Sequence, residues 1–244
     1  MELISSFLTD TGRKRKANED SGLAADWLGL YVVCDGMGGH SCGDVASQTA
    51  IEVIKGSIEN AKKKGTLETK PCEVFVDAIK LGNRAVWELS QGMPKCASMG
   101  TTMAGVLIHG NTFFTAHVGD SRVYRIRGGK IEPLTRDHSL VEEQIALGTL
   151  KREDARNSPV KNVITRAMGL NAEVKVETAQ FEALAGDFIL ICSDGLNGMI
   201  TDETIEEVIN KNTTDTLNAT TAELIELANL NGGTDNITVV LLKF

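Results

Sequence analysis

The stretch of residues 101–135 decides the fold class of this chain. It reads TTMAGVLIHGNTFFTAHVGDSRVYRIRGGKIEPLT, which is four short runs rich in β-branched and aromatic residues. Each run is separated from the next by a glycine-containing pair that is typical of a hairpin turn: Gly110-Asn111, Gly119-Asp120 and Gly128-Gly129. The pattern predicts a meander of antiparallel strands.

The segments on either side predict further strands together with paired helices. Apolar residues recur at helical spacing from Val45 to Ala61 and stop before Gly65, and a second helix is expected over residues 73–90. Shorter helices are predicted at residues 140–147, 151–156, 204–210 and 217–230, and further strands at 3–9, 28–34, 188–192 and 237–242. Because helices come in pairs and strands in runs, we expect antiparallel sheet flanked by helices rather than a doubly wound parallel sheet. No repeat or linker divides the chain, so residues 1–244 are expected to form a single domain.

The composition is that of an ordinary globular protein. The chain has 244 residues, of which 42% are hydrophobic and 24% are charged, and its net charge is −8. An acidic balance argues against nucleic acid or an anionic membrane as the main partner. No apolar run approaches the ~20 residues that cross a bilayer, and the first residues, MELISSFLTD, lack the pattern of a signal peptide.

The cysteines predict the redox environment. There are five of them, an odd number, and no C-x-x-C pair occurs. Cys34 and Cys192 lie inside apolar runs, which is typical of buried thiols. We therefore expect reduced cysteines, a reducing compartment and a cytoplasmic location.

The segment VVCDGMGGHSCGD, residues 32–44, contains an unusual strand end. An apolar run leads directly into Asp35, and three glycines stand among the next four residues. A strand that only packs a core has no use for this carboxylate, and glycine weakens regular structure. The spacing also differs from the G-x-G-x-x-G of dinucleotide sites. We interpret the segment as a place where main chain must come close to a functional carboxylate.

Four aspartates share this setting at strand tips or glycine turns. Asp35 follows LYVVC, Asp194 follows FILICS, Asp235 precedes ITVVLL, and Asp120 follows HVG. Asp-Gly pairs are also common turn formers, so each aspartate alone is compatible with a capping role. If the strands are neighbours, however, the carboxylates converge, and two charges ~4 Å apart repel by roughly 4 kcal/mol at an effective dielectric of ~20. A cluster of oxygen ligands without zinc-type Cys or His predicts Mg²⁺ or Mn²⁺, with the Gly36 carbonyl as a further ligand.

Eight motifs, in order, resemble the protein phosphatase 2C family of metal-dependent serine/threonine phosphatases, specifically its compact bacterial type. They are TGRKRKANED, VVCDGMGGHSCGDVAS, MGTTMAG, HVGDSRVYRI, LTRDHSLVEEQIALGTL, NVITRAMG, ICSDGLNGM and GGTDNITVV. The resemblance covers about residues 9–240. It implies an α+β fold, a four-layer αββα sandwich in which two central antiparallel β-sheets are flanked by helix pairs.

The resemblance also implies a centre of two metal ions at one end of the sandwich. Asp35 would bridge both ions, and the Gly36 carbonyl would bind the second. Asp194 and Asp235 would hold the first ion. Glu19, in the NED motif, would act on the second ion through water.

Three further roles are implied by the same resemblance. Bacterial members often bind a third, looser metal, whose ligands match Asp120 and Asp194. Arg15 matches the arginine that grips the substrate phosphate. Many eukaryotic members carry a histidine where Met37 stands, and that histidine is proposed to protonate the leaving group. His40 and a water on the third metal are the two alternatives for this acid here.

The implied reaction is hydrolysis of phosphoserine and phosphothreonine in proteins. A hydroxide shared by the two metals would attack phosphorus in line, without a phospho-enzyme. The expected partners are phosphorylated substrates of a serine/threonine kinase, and the expected state is a monomer. Two alternatives stay open at this stage: a pseudophosphatase that binds phosphoproteins without turnover, and a phosphatase of small phosphorylated metabolites.

Overall fold

Two antiparallel β-sheets and the helices that cover them form the protein. The computed structural model describes residues 3–38, 42–211 and 217–244. The strands are β1 (Ile4–Asp10), β2 (Asp20–Ala25), β3 (Leu30–Met37), β4 (Gly100–Thr101), β5 (Met103–His109), β6 (Thr112–Val118), β7 (Arg122–Arg127), β8 (Lys130–Pro133), β9 (Glu177–Glu182), β10 (Phe188–Cys192) and β11 (Ile237–Lys243). The helices are α1 (Gly43–Lys63), α2 (Thr66–Thr69), α3 (Pro71–Gly92), α4 (Leu140–Ala146), α5 (Asp194–Asn197), α6 (Asp202–Lys211) and α7 (Leu217–Leu230).

Three apolar layers hold the elements together. One side of β3 packs on α1 and α3 through Val32, whereas the next residue, Val33, faces the other sheet. Strand β11 alternates in the same way, with Val239 toward α6 and α7 and Val240 between the sheets. Strands buried on both faces explain the nearly continuous apolar runs of the sequence. The layers run helices, sheet, sheet, helices, which confirms the predicted four-layer αββα sandwich.

The strand order shows that the predicted meander is divided between the two sheets. The first sheet has the order β1-β11-β10-β7-β8, and the second has β2-β3-β5-β6-β9 with β4 paired to β3. The turn at Gly110 joins β5 and β6 into a hairpin, and the turn at Gly128 joins β7 and β8, as predicted. The prediction of a third hairpin at Gly119-Asp120 is wrong, because β6 pairs with β9 and β7 pairs with β10. The chain instead crosses from one sheet to the other at this point.

Three strands were not predicted: the two-residue β4, which pairs with β3, and the edge strands β2 and β9. Strand β2 has the sequence DSGLAA and pairs only with β3, and β9 has the sequence ETAQFE and is largely exposed. Neither sequence alternates or is rich in β-branched residues. Their strand conformation comes from the neighbouring strand to which they bond, which local propensity does not encode.

The structure corrects the prediction for two of the five cysteines. Cys42, just before α1, forms a disulfide with Cys96, which ends a 3-10 helix at Pro94–Cys96. Cys34, Cys72 and Cys192 are free thiols. The bonded pair is separated by 54 residues, so only the packing of α1 beside this short helix brings them together. The argument for a reducing compartment from cysteine usage therefore does not hold.

Within the described ranges, no helix combines the length and the apolar character that a membrane span requires.

Candidate metal centre

Strand β3 holds Asp35 at one end of the sandwich. Because Val33 faces the other sheet, Asp35 points the same way, two residues further on. Thr102 fixes the main chain, since its Oγ1 accepts from the Asp35 N–H at 2.9 Å and its N–H donates to the Asp35 carbonyl at 2.8 Å. The Thr101 hydroxyl donates to the same carbonyl at 2.9 Å. The carboxyl is thus mounted on a rigid strand end.

Gly36 is required by close packing of three segments. The strand continues through Asp35 and Gly36 to Met37, beyond the predicted end at residue 34. A Cβ on Gly36 would lie 2.1 Å from the Gly43 carbonyl oxygen and 2.4 Å from the Glu19 carbonyl oxygen, distances that no side chain tolerates. The glycine therefore lets β3, β2 and the first residue of α1 converge behind Asp35. Coordination of a metal by its carbonyl stays a prediction.

Neighbouring strands supply Asp194 and Asp235 at the same end. The C-terminal end of β10 meets the N-terminal end of β11, because the two strands are antiparallel. Asp194 follows β10 and begins α5, whereas Asp235 lies two residues before β11. The carboxyl groups of Asp35 and Asp194 are within hydrogen-bonding reach of each other when one is protonated. The structure therefore brings together three of the four aspartates that the sequence predicted to converge, and the fourth, Asp120, is described below.

The carboxyl groups raise one another's pKa. The pKa of Asp35 is raised well above its usual range, mainly by burial and to a smaller extent by the charges of Asp20 and Asp194. Burial, followed by the charge of Asp235, raises the pKa of Asp194 to about 6. Burial, followed by the charge of Asp194, raises the pKa of Asp120 to about 7. Such shifts mean that the ionised cluster is unfavourable without a neutralising cation.

Asp120 reaches this region from the crossing between β6 and β7. It lines a cavity of about 550 Å³ together with Asp194 and Asp235. The opposite wall of the cavity comes from the segment of residues 152–162, including Arg156 and Lys161. A cavity of this size, lined by charged side chains of both signs, is compatible with a phosphorylated side chain.

Glu19 lies beside the N-terminus of α1. Burial raises its pKa, as does the charge of Asp44, whereas a hydrogen bond from the Gly43 N–H lowers it. Its main-chain N–H donates to Asn236 Oδ1 at 2.8 Å, and its carbonyl accepts from the Ser47 hydroxyl at 2.7 Å. Glu19 is thus connected both to α1 and to the loop that carries Asp235.

Asp20 is a site residue that the sequence analysis missed. It lies directly opposite Asp35 in the β2–β3 register, and its Oδ2 accepts from the Ser193 hydroxyl at 2.7 Å. Burial raises its pKa to about 7, and the charges of Asp194 and Asp235 add to the effect. Its position next to Glu19 was the available signal. No strand was predicted between residues 9 and 28, so the pairing of β2 with β3 that places Asp20 in the cluster could not be foreseen.

Arg15 belongs to a loop that is docked on the segment before β11. The N–H groups of Arg13 and Lys14 donate to the Gly233 carbonyl at 2.7 and 3.2 Å. The Arg15 guanidinium donates to Asp235 Oδ2 at 2.6 Å, and half of its side chain is exposed. The arginine therefore borders the acidic cluster at Asp235, and the rest of its side chain is open to solvent.

Among the predicted site residues, His40 lies outside the described part of the chain.

The residues present fit a hard divalent cation. The predicted donors are oxygen atoms, and Asp194 Oδ1 and Asp20 Oδ1 are buried acceptors without a hydrogen-bond partner in the described ranges. Buried orphan acceptors are costly unless another group satisfies them. Together with the raised pKa values, they indicate a site built to bind positive charge.

Known proteins share this fold and sequence. A family profile described as protein phosphatase 2C matches residues 13–230. The serine/threonine phosphatase stp of Listeria monocytogenes serotype 4b is 36% identical over 245 residues, covering 98% of this chain and 95% of that protein.

Solved structures give the same result. The serine/threonine phosphatase PstP/Ppp of Mycobacterium tuberculosis superimposes with a TM-score of 0.91 at 34% identity, covering 99% of this chain and 98% of the other. The catalytic domain of PstP in complex with two manganese ions has a TM-score of 0.86 at 35% identity, covering 99% and 97%. A full-length sequence match and a full-length structural match agree, and the chain belongs to the protein phosphatase 2C family.

Proposed function

We propose that this protein is a metal-dependent phosphatase that hydrolyses phosphoserine and phosphothreonine in proteins. The observation that carries the proposal is the convergence of Asp35, Asp194 and Asp235 at one end of the sandwich, with the Arg15 guanidinium 2.6 Å from one of them. Metal-dependent phosphoryl transfer needs these two parts, a carboxylate cage for cations and a fixed donor for phosphate.

The proposed metal ligands are the predicted ones. Asp35 is proposed to bridge two ions. Asp194 and Asp235 are proposed to complete the first site. The Gly36 carbonyl is proposed to bind the second ion directly, and Glu19 to act on it through water. The ions are Mn²⁺ or Mg²⁺, since both take oxygen ligands. When bound, they would supply a nucleophile from water at neutral pH and draw charge from the phosphoryl oxygens. Asp120 and Asp194 are proposed to hold a third, weaker ion.

Arg15 is proposed to orient the phosphate. A guanidinium presents a planar pair of donors that matches two phosphate oxygens, which an ammonium group cannot imitate. Its hydrogen bond to Asp235 keeps it at the edge of the cluster, and the exposed half of its side chain leaves donors available for a phosphate. The protonation of the leaving alkoxide is assigned to His40 or to a water of the third site, as the sequence predicted.

The partners and the location belong to the same proposal. The substrates are phosphoproteins produced by a serine/threonine kinase, and the protein acts as a monomer in the cytoplasm. The Cys42–Cys96 disulfide removes the cysteines as support for this location, which stays a proposal. Neither nucleic acid nor a membrane is a proposed partner, given the acidic net charge of −8.

The substrate class can be tested by comparing rates. We expect kcat/KM with Mn²⁺ to be at least about tenfold higher for a phosphothreonine peptide than for a nucleoside monophosphate. The reason is that the open cavity offers contacts along an extended chain, and such remote contacts add transition-state binding. A phosphotyrosine peptide of the same sequence is the matched control.

Two results would contradict the proposal. A nucleoside monophosphate hydrolysed faster than the peptide would support the metabolite phosphatase. A phosphopeptide that binds without turnover, in the presence of Mn²⁺ or Mg²⁺, would support the pseudophosphatase.

A further inference from the structure

Two histidines and a glutamate form a second polar cluster next to the metal centre. His117 lies in β6, His138 in the loop after β8, and Glu177 at the start of β9. Their potential ligand atoms all lie within 4.8 Å of one another, and the two imidazole rings stack with centroids 4.5 Å apart. Both histidines are buried. The proposed reaction leaves this cluster without a role.

The hydrogen bonds show that the cluster is not arranged for a cation. The Gly119 N–H donates to His138 Nδ1 at 3.1 Å, which assigns the proton of the neutral ring to Nε2. This nitrogen lies 3.3 Å from Glu177 Oε1 and 3.0 Å from Arg166 Nη1, so a cation already stands beside it. A protonated nitrogen cannot ligate a metal. The Arg166 guanidinium donates to the same Glu177 oxygen at 2.9 Å and already places a positive charge there.

His138 instead clamps the main chain of Gly119. Its N–H donates to the Gly119 carbonyl at 2.9 Å, in addition to the bond that its Nδ1 accepts. Gly119 has a φ of +107°, and a Cβ there would lie 2.7 Å from the Thr102 side chain. The two bonds therefore fix a peptide that only glycine can adopt, and Asp120 is the next residue.

The other side of this turn is tied to Asp35. Thr102 Oγ1 shares a hydrogen bond of 2.7 Å with the Ser121 hydroxyl and also accepts from the Asp35 N–H at 2.9 Å. Asp120 thus lies between two fixed residues, Gly119 held by His138 and Ser121 held by Thr102. Loss of one anchor would let the Asp120 carboxyl move relative to Asp194.

The same loop contacts the residues that directly follow the cavity-lining segment 152–162. The Thr165 N–H donates to the His138 carbonyl at 2.7 Å, and the Leu140 N–H donates to the Val163 carbonyl at 2.8 Å.

The pKa of His138 is lowered to about 4, mainly by burial and to a smaller extent by the charges of His117 and Arg166, so the ring keeps its Nδ1 lone pair at neutral pH.

We propose that His138 is a positioning residue that fixes Asp120 for a third divalent ion by binding the Gly119 main chain. The inference rests on the proposed function, because that function gives Asp120 its role as a ligand. It goes further in assigning part of the affinity of this third site to a side chain that touches neither metal nor substrate. Residues that orient metal ligands typically change affinity by about 10–100-fold when they are replaced.

The test uses the full chain, Mn²⁺ as the probe and two amide variants of similar polarity. His138→Asn keeps an acceptor near the Nδ1 position, whereas the amide of His138→Gln is one bond further out. The Mn²⁺ dissociation constants are measured by electron paramagnetic resonance, which detects the free ion. We expect the dissociation constant of the weakest site to rise about tenfold in His138→Gln and less than about threefold in His138→Asn. His117→Phe is the packing control, since His117 donates to the Arg136 carbonyl and not to Gly119.

A double-mutant cycle separates positioning from general destabilisation. In an Asp120→Ala background the His138→Gln change should add less than about twofold to any Mn²⁺ dissociation constant, because the ligand it positions is gone. Equal effects with and without Asp120, or equal affinities of the Asn and Gln variants, would overturn the proposal. The binding readout does not need turnover, so an inactive wild-type protein would refute the proposed function and leave this test decisive.

Discussion

Replacing Asp35 by asparagine should lower kcat by about a thousandfold or more while the protein stays folded. Asparagine keeps the size and one oxygen of the side chain but removes the charge that is proposed to bridge two cations. A loss of about 4 kcal/mol of transition-state stabilisation corresponds to this factor. The fold should tolerate the change, because it removes a repelling charge beside Asp20 and Asp194. Steady-state kinetics on a phosphothreonine peptide with Mn²⁺, and circular dichroism, are the measurements.

Two variants provide the comparison. Asp77→Asn changes an exposed aspartate of α3 that is not a proposed ligand, and its kcat should stay within about threefold of wild type. Arg15→Ala should raise KM more than it lowers kcat, as expected for a group that mainly binds the phosphate. An Asp35→Asn protein with more than a tenth of wild-type kcat would contradict the assigned role.

Binding of Mn²⁺ should stabilise the protein strongly at pH 7.5 and weakly at pH 5. In the metal-free protein, burial and mutual repulsion raise the pKa of Asp194 to about 6 and those of Asp20 and Asp120 to about 7. An aspartate in the unfolded chain has a pKa of about 4. Protonation of these three carboxyls therefore stabilises the metal-free fold fully below about pH 4, and this contribution is lost as pH rises through 6–7. Metal must compete with these protons at pH 5 and much less so at pH 7.5.

The expected size follows from mass action. At Mn²⁺ about a thousandfold above its dissociation constant, the gain is about 4 kcal/mol, or about 10 °C in Tm for a chain of this length. At pH 5 the gain should fall to about 3 °C or less. The measured quantity is the difference in Tm between the Mn²⁺ sample and the chelator sample at each pH. The buried His117 and His138 have lowered pKa values and destabilise the fold as pH falls, but they do so in both samples and cancel in the difference. A pH-independent gain would show that Asp194 and Asp120 do not bind the metal.

The parts of the fold that sequence could predict are those with a strong local signal. Strands β10 and β11 are buried on both faces, so their apolar runs were visible, and glycine pairs marked the hairpins at Gly110 and Gly128. The aspartates were found because each interrupts or borders such a run. Their convergence could be predicted only through the assumption that the strands are neighbours, and the β10–β11 pairing confirms it for Asp194 and Asp235.

The remaining features depend on contacts between distant segments. Strand β2 bonds to β3 although its sequence, DSGLAA, lacks β-branched and aromatic residues, and this register alone places Asp20 opposite Asp35. The turn at Gly119 has a hairpin sequence but crosses between sheets, because β9 occupies the edge of β6 that a hairpin partner would need. The Cys42–Cys96 disulfide joins residues that no spacing rule relates. These are tertiary effects, and local sequence does not encode them.

The central claim is that Asp35, Asp194 and Asp235 together hold a pair of divalent cations. The most direct test is the anomalous scattering of Mn²⁺ in crystals soaked at pH 7.5, compared between the wild-type protein and Asp35→Asn. The account predicts two peaks about 3.5–4 Å apart, in contact with the Asp35 carboxylate, and the loss of at least one of them in the variant. Peaks that avoid Asp35, or a pattern unchanged by the substitution, would contradict it.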